Sequence, residues 1–180
     1  MTVTRTPILT DLPVTVGEAK MHARIDHDDD DAGFAMMIAT AAADIEDAAA
    51  LALLPQTITY ETLPMPGRVI VLPIGPAIAD PAPIVETVAE GGAATVLTGW
   101  TLFPGNRPRV ELVDSPAHRV RITYRAQTAA TPATVPADLK HAIADQATRM
   151  FDNRGGVHDQ GAALSPHAAR VVARYRGVRA

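Results

Sequence analysis

The residues of this sequence that could bind a metal ion lie in an acidic run near the N-terminus. Asp26, Asp28 and Asp30 occupy alternate positions, as the first ligands of a calcium-binding EF-hand loop do. However, the sixth position is Asp31, where the loop requires glycine, and the twelfth is Met37, where it requires glutamate. The run is better explained as a helix N-terminus, where carboxylates cap free N–H groups and interact favourably with the helix dipole.

Histidines supply the other candidate chemistry. His22, Asp26 and His27 could meet around zinc, but their spacing across a helix end is unlike that of helical zinc motifs, so we expect a surface or capping role. The pair His158-Asp159 and Ser165 are the residue types of a hydrolase triad, yet their spacing is loose and there is no nucleophile elbow. We therefore expect no catalytic residue, no cofactor and no metal.

The C-terminal residues carry a concentrated positive charge. Residues 166–180 contain four arginines and no acidic residue. These arginines could form a solvated helix face, or dock onto an acidic partner surface with Val171, Val172 and Tyr175 as an apolar anchor. A small regulatory protein that binds nucleic acid through this helix is the alternative, which the absence of interleaved aromatic residues and the net charge of −4 disfavour.

The distribution of charge along the chain is uneven. Residues 1–54 contain three basic and ten acidic residues, whereas residues 136–180 contain seven basic and four acidic residues. Opposite charge at the two ends suits pairing within the chain or head-to-tail contact between copies. The absence of cysteine excludes disulfides, and no apolar stretch reaches the length of a signal peptide or a membrane span, so we expect a soluble, non-secreted protein.

Apolar periodicity predicts four helices. The first covers residues 15–25, with Thr15 and Glu18 spaced as a capping box, and the second covers residues 32–54 up to Pro55. The third covers residues 136–154 and carries one apolar stripe, formed by Leu139, Ile143, Ala147, Met150 and Phe151. The last helix follows Ser165 as N-cap and Pro166 in its first turn, and stops at Gly177.

Between the second and third helices the apolar period changes to two, which predicts strands. The predicted strands are residues 57–63, 68–72, 83–88, 95–103, 109–113 and 118–126. The fold class is therefore α+β, a bundle of about four helices with an antiparallel β insertion between helices 2 and 3. We expect a helical part at residues 1–55, the insertion at residues 56–130 and a second helical part at residues 131–180.

The order of these elements, together with four sequence motifs, resembles a known family. The segments VGEAKMHARIDHDDDDAGFAMMIATAAADIE, ITYRAQ, VPADLKHAIADQATRMFDNR and RVVARYR resemble the head-to-tail connector (adaptor) proteins of long-tailed bacteriophages, prophages and gene transfer agents. The most specific matches are residues 18–29, 135–143, 153–154 and 175–176. The resemblance covers most of the chain, and the β insertion is too variable to align.

The resemblance implies a structural protein that forms a ring, usually a dodecamer, below the portal in the virion neck. Such a ring assembles in the bacterial cytoplasm, extends the channel through which DNA passes, has no membrane contact, and receives a stopper or other tail-side neck protein. The family's C-terminal segment contacts the portal, which implies portal-binding roles for Arg170, Val171, Arg174, Tyr175, Arg176 and Arg179. The opposite charges suggest ring contacts between Asp28, Asp29 and Asp30 of one copy and Arg149 and Arg154 of the next.

Overall fold

Strands and helices of this chain belong to separate units, which we call the β unit and the helical unit. The computed structural model describes residues 1–63, 68–114, 116, 118–153 and 163–176. The β unit comprises Met1–Leu9 and Leu54–Thr128, and the helical unit comprises Thr10–Leu53 and the described residues from Ala129 onward. Among the described residues, no helix is long and apolar enough to cross a membrane.

In the described part of the chain, the helical unit contains four α-helices. They are α1 (Val16–Ala23), α2 (Asp31–Ala49), α3 (Ala137–Asp152) and α4 (Pro166–Tyr175), and a 3₁₀ turn at Pro132–Thr134 precedes α3. Helix α3 contacts each of the other three. The predicted α+β fold class is confirmed, because an antiparallel β insertion lies between α2 and α3 in the sequence.

The apolar stripe of α3 forms the centre of the helical unit, as its spacing predicts. Leu139, Ile143 and Ala147 are fully buried, and a ring contact joins α3 to α2 at the end of the stripe. There the rings of Phe34 and Phe151 meet edge to face with centroids 5.2 Å apart. Burying each large apolar side chain contributes about 1.5–3 kcal/mol, so this stripe accounts for much of the packing of the bundle.

Helix α2 ends earlier than the sequence predicts. Its last residue is Ala49, and Ala50 turns the chain in the left-handed conformation with φ 55°. The carbonyl of Glu46 then accepts a hydrogen bond from the Leu51 N–H (3.0 Å), and its Oε1 accepts one from the Leu53 N–H (2.6 Å). The left-handed residue costs roughly 1–2 kcal/mol. The non-helical segment offsets this cost because it buries Leu51, Ala52 and Leu53 together, whereas a helix would spread them around its circumference.

Within the described residues, the β unit contains eight strands in two antiparallel sheets. The strands are β1 (Thr2–Pro7), β2 (Gln56–Thr62), β3 (Val69–Val71), β4 (Ile84–Val88), β5 (Ala94–Val96), β6 (Trp100–Phe103), β7 (Arg109–Leu112) and β8 (Arg119–Ala126). One sheet has the order β1-β2-β8-β4-β5 and the other β3-β7-β6. The alternation of β8 is confirmed, since Val120, Ile122 and Tyr124 are buried.

Two features of the β unit differ from the sequence prediction. The strand β1 was not predicted, because its side chains are mostly exposed and show no alternation of apolar and polar residues. It pairs with β2 from Thr2 opposite Glu61 to Pro7 opposite Gln56. The predicted strand at residues 95–103 is two strands, β5 and β6, which belong to different sheets.

The hydroxyl of Tyr124 fixes a loop against β8 inside the β unit. It donates a hydrogen bond to the carbonyl of Ile74 (2.9 Å) and accepts one from the N–H of the same residue (3.2 Å). Burial raises the pKa of Tyr124. Because both backbone groups of Ile74 lie in the interior, they depend on this side chain for their hydrogen bonds.

Candidate assembly surfaces

Helix α4 begins as its sequence predicts. The Oγ of Ser165 accepts a hydrogen bond from the N–H of Ala168 (3.0 Å), and Pro166 occupies the first turn. The helix buries Ala168, Val171 and Val172, and it contacts α2 and α3. Its predicted stop, Gly177, lies outside the described residues.

The start of α4 is tied to α3 through Ser165. Its N–H donates to Oε1 of the buried Gln146 (2.7 Å), and its Oγ hydrogen bonds to a carboxylate oxygen of Asp145. Among the residues considered above for a hydrolase triad, Ser165 caps α4 and tethers it to α3. The other two, His158 and Asp159, lie outside the described residues. Gln146 also contacts Asp44 of α2, whose pKa is raised by burial, an effect that this hydrogen bond opposes.

The end of α4 is tied to the first turn of α3 through Asp138. The Tyr175 hydroxyl donates to Asp138 Oδ1 (2.9 Å), and Nη2 of Arg174 lies 3.1 Å from Oδ2 of the same carboxylate. Burial raises the pKa of Tyr175, and the bond to Asp138 raises it further. Both ends of α4 are therefore held on α3 by a carboxylate.

The side chains proposed to bind a partner differ in their accessibility. Val171 is 1% exposed and packs inside the helical unit, and Tyr175 is half-buried. Arg170, Arg174 and Arg176 are exposed, whereas Arg179 lies outside the described residues. We call Arg170, Arg174 and Arg176 the basic face. In this structure Val171 holds the helix in place, and the arginines of the basic face are exposed.

The acidic run between α1 and α2 is partly engaged within the chain. Nζ of Lys20 lies 2.5 Å from Oδ1 of Asp28 and 2.8 Å from Oδ1 of Asp31, and it lowers the pKa of Asp28. Asp29 is exposed. Asp30 stands at the N-cap of α2 but makes no side-chain cap bond, because its backbone (φ −105°, ψ 6°) lacks the extended conformation of a capping residue. The capping role predicted for this run is therefore wrong for Asp30.

The basic residues predicted at a ring interface lie at the end of α3. Nη1 of Arg149 donates to the carbonyls of Ala163 (3.3 Å) and Leu164 (3.2 Å), which fixes the segment before α4. Arg154 lies outside the described residues. A ring contact between these arginines and the acidic run stays a prediction.

Helices α1 and α3 are joined by a capping box that extends into an ion pair. The Glu18 carboxylate accepts from the Thr15 N–H (2.8 Å), and the Thr15 Oγ1 accepts from the Glu18 N–H (3.2 Å), which confirms the predicted box. Nζ of Lys140 donates to the other Glu18 oxygen (2.9 Å). This bond, followed by that from the Thr15 N–H, lowers the pKa of Glu18 to about 2.

We expect Glu18→Gln to remove part of the acid sensitivity of the helical unit. The pKa of Glu18 falls from 4.5 to about 2 on folding, so its contribution is present above pH 4.5 and is lost as the pH falls towards 2. The Glu18 side chain is 41% exposed, so solvent screens its interactions. We therefore expect it to contribute about 1 kcal/mol to the free energy of unfolding, which is less than the pKa difference alone would give. Urea unfolding above and below this window measures it, with the exposed Glu90→Gln as control. Equal acid sensitivity of Glu18→Gln and the wild type would contradict this assignment.

A cluster of histidines joins three helices, and the sequence does not predict it. The His22 and His141 rings meet edge to face with centroids 4.8 Å apart, and those of His141 and His167 lie 4.4 Å apart. Nδ1 of His141 is 2.9 Å from Nε2 of His167, and Nε2 of His22 is 3.9 Å from Oδ1 of Asp145. We call His22, His141 and His167 the histidine cluster. No local spacing indicates it, because its members come from α1, α3 and α4.

Solved structures with the same fold come from gene transfer agent particles. The chain matches a chain from the neck of an empty gene transfer agent particle, computed with C6 symmetry, at 25% identity and a TM-score of 0.75. It matches a chain from the neck of a native particle, computed with C12 symmetry, at 26% identity and a TM-score of 0.76. It also matches a chain from the virion of a native particle at 24% identity and a TM-score of 0.80. Each match covers 100% of this chain and 97% of the other.

No protein-family model matches the sequence, and no curated protein matches it. The whole-length likeness in structure confirms the resemblance that the sequence motifs indicate, since those structures are gene transfer agent particles and two of them are necks.

Proposed function

We propose that this chain is a structural component of the neck of a gene transfer agent or a related phage particle. In this proposal it is an adaptor that forms a ring below the portal, extends the DNA channel and joins the capsid to the tail, without enzymatic activity. The observation that carries the proposal is the likeness to two neck chains over the whole length, at 25% and 26% identity.

A ring is supported by symmetry and by charge. The two similar neck structures were computed with C6 and C12 symmetry, and cyclic assemblies join the front of one subunit to the back of the next. Asp29 between α1 and α2 is exposed and Arg149 lies in the last turn of α3, so this chain carries unlike charges for the proposed contact of the acidic run with Arg149 and Arg154 of the next copy. We propose twelve copies. The net charge of −4 also disfavours tight binding of DNA phosphates, which suits a channel through which DNA slides.

Portal binding is assigned to the basic face. Guanidinium groups are planar donors that pair with carboxylates in a defined geometry, so Arg170 and Arg174 on α4 and Arg176 just after it fit an acidic partner surface. The apolar side chains of Val171 and Val172 do not contribute to that surface, because they are buried. A stopper or other tail-side protein is the proposed partner on the opposite rim of the ring.

Imaging of intact particles tests the proposal. Particles are isolated from cells that encode this chain, and the neck is reconstructed by electron cryomicroscopy without imposed symmetry. We expect density for α1 to α4 and for both sheets, repeated around the channel next to the portal. Cells that lack the gene are the control, and we expect them to accumulate separate capsids and tails.

Two results would overturn it. One is a neck in which this chain is absent or present as a single copy. The other is tight binding of the purified chain to bare duplex DNA with a steep salt dependence, which would favour the nucleic-acid regulator instead.

A further inference from the structure

The contact between His141 and His167 requires one shared proton. Their facing nitrogens, Nδ1 and Nε2, are 2.9 Å apart, so one must carry a hydrogen and the other a lone pair. If both rings are protonated, two N–H groups face each other and two positive charges lie 4.4 Å apart. The doubly protonated pair therefore cannot keep the geometry that the structure shows.

We infer that the histidine cluster is a proton-operated latch that holds α4 on α3 and releases it when both His141 and His167 become charged. The latch lies at the first turn of α4, next to the Ser165 tether. His22 adds a third imidazole against His141.

Most charged groups around the cluster, among the described residues, are already engaged in other contacts. On α1, Glu18 is bonded to Lys140 of α3 and Lys20 to Asp28 and Asp31. On α3, Asp145 lies one helical turn from His141 and 3.9 Å from Nε2 of His22, and it is also bonded to Ser165.

The other charged groups near the cluster, among the residues that the structure describes, lie on α2, α3 and α4. Asp44 of α2 is bonded to Gln146, and Asp138 of α3 holds Arg174 and Tyr175 at the far end of α4. Arg170 of α4 adds a positive charge one turn beyond His167. Within the described part of the chain, the surroundings therefore supply one carboxylate, Asp145, for three imidazoles, and Arg170 adds positive charge.

Release of α4 changes what the chain offers to a partner. In the closed state Val171 and Val172 are buried, so the basic face lacks the apolar anchor that strong interfaces use. Once α4 leaves α3, both valines become available beside the arginines. An acidic partner favours the charged imidazoles, so partner binding and proton uptake promote each other. This consequence rests on the proposed function, whereas the latch itself does not.

Hydrogen exchange of the full chain tests the latch. After correction for the intrinsic pH dependence of exchange, we expect α4 amides to lose about tenfold in protection between about pH 7.5 and about pH 5, the order of magnitude for repulsion of two close, partly hydrated charges. The variant H141Q/H167Q is neutral at both pH values and should show no such change. The control His118→Gln removes a histidine of the β unit and should behave as the wild type.

Equal protection of wild-type α4 at both pH values would overturn the latch, as would a pH effect that persists in H141Q/H167Q. Should that variant fail to fold, nuclear magnetic resonance titration of the wild-type imidazoles decides the question. We expect the α4 signals to be lost when both His141 and His167 carry a proton. Signals of α4 that persist with both rings protonated would refute the latch. None of these measurements involves a portal, so they stand apart from the particle imaging.

Discussion

Replacing Phe34 with alanine is expected to destabilise the helical unit by about 3–5 kcal/mol. The side chain is 1% exposed and fills the space between α2 and α3, where its ring meets Phe151 edge to face. Truncation removes both the buried area and the ring contact, and it leaves a cavity because a packed core relaxes only partially around the lost side chain. Chemical denaturation followed by helical circular dichroism measures the loss.

The matched control for this substitution is Met36→Ala on the same helix. Met36 is 73% exposed, so its truncation should change the free energy of unfolding by less than about 0.5 kcal/mol. Native domains are stable by only about 5–15 kcal/mol, so the Phe34 variant should be partly unfolded near the upper end of the physiological temperature range. Similar losses from the two truncations would show that the α2–α3 contact is not the core of this unit.

Reversing the charge of Arg170 and Arg176 together is expected to reduce portal binding by at least about 100-fold. Both guanidinium groups are exposed, so glutamate at these positions repels an acidic partner without opening the core. Arg174 is left unchanged because its bond to Asp138 helps to hold α4. Binding of the purified variant to immobilised portal rings, together with the number of tailed particles, measures the effect.

A variant with the same change in net charge distinguishes the effect of charge at the basic face from the effect of the total charge of the protein. Arg119 and Arg125 are exposed residues of β8, and R119E/R125E should bind the portal as the wild type does. Helical circular dichroism must be unchanged in both double variants. If R170E/R176E still binds with wild-type affinity, the basic face is not the portal-binding surface, although the neck assignment would stand.

Local features of this fold could be read from the sequence because their causes are local. The capping box of Thr15 and Glu18 and the N-cap at Ser165 depend on residues three positions apart, and both are confirmed. The apolar stripe of α3 and the alternation of β8 depend only on period, so their buried faces were predictable as well.

Other features depend on partners that are distant in sequence. The strand β1 shows no apolar alternation and forms because β2 offers it a free edge. The end of α2 depends on the burial of residues 51–53, which outweighs the helical propensity of alanine. The histidine cluster needs three helices to be in place, and the burial of Val171 needs α2 and α3 beside α4. No window of sequence contains these contacts.

The division of the chain into Met1–Leu9 with Leu54–Thr128, and Thr10–Leu53 with the residues after Ala129, has a consequence for its biosynthesis. On the ribosome, β1 emerges first but must wait for β2, and α1 and α2 emerge long before α3, the helix against which they pack. Neither unit can therefore complete its folding before most of the polypeptide has been translated. Truncated translation products would expose unpaired apolar helices, so quality-control proteases should remove them before they enter a particle.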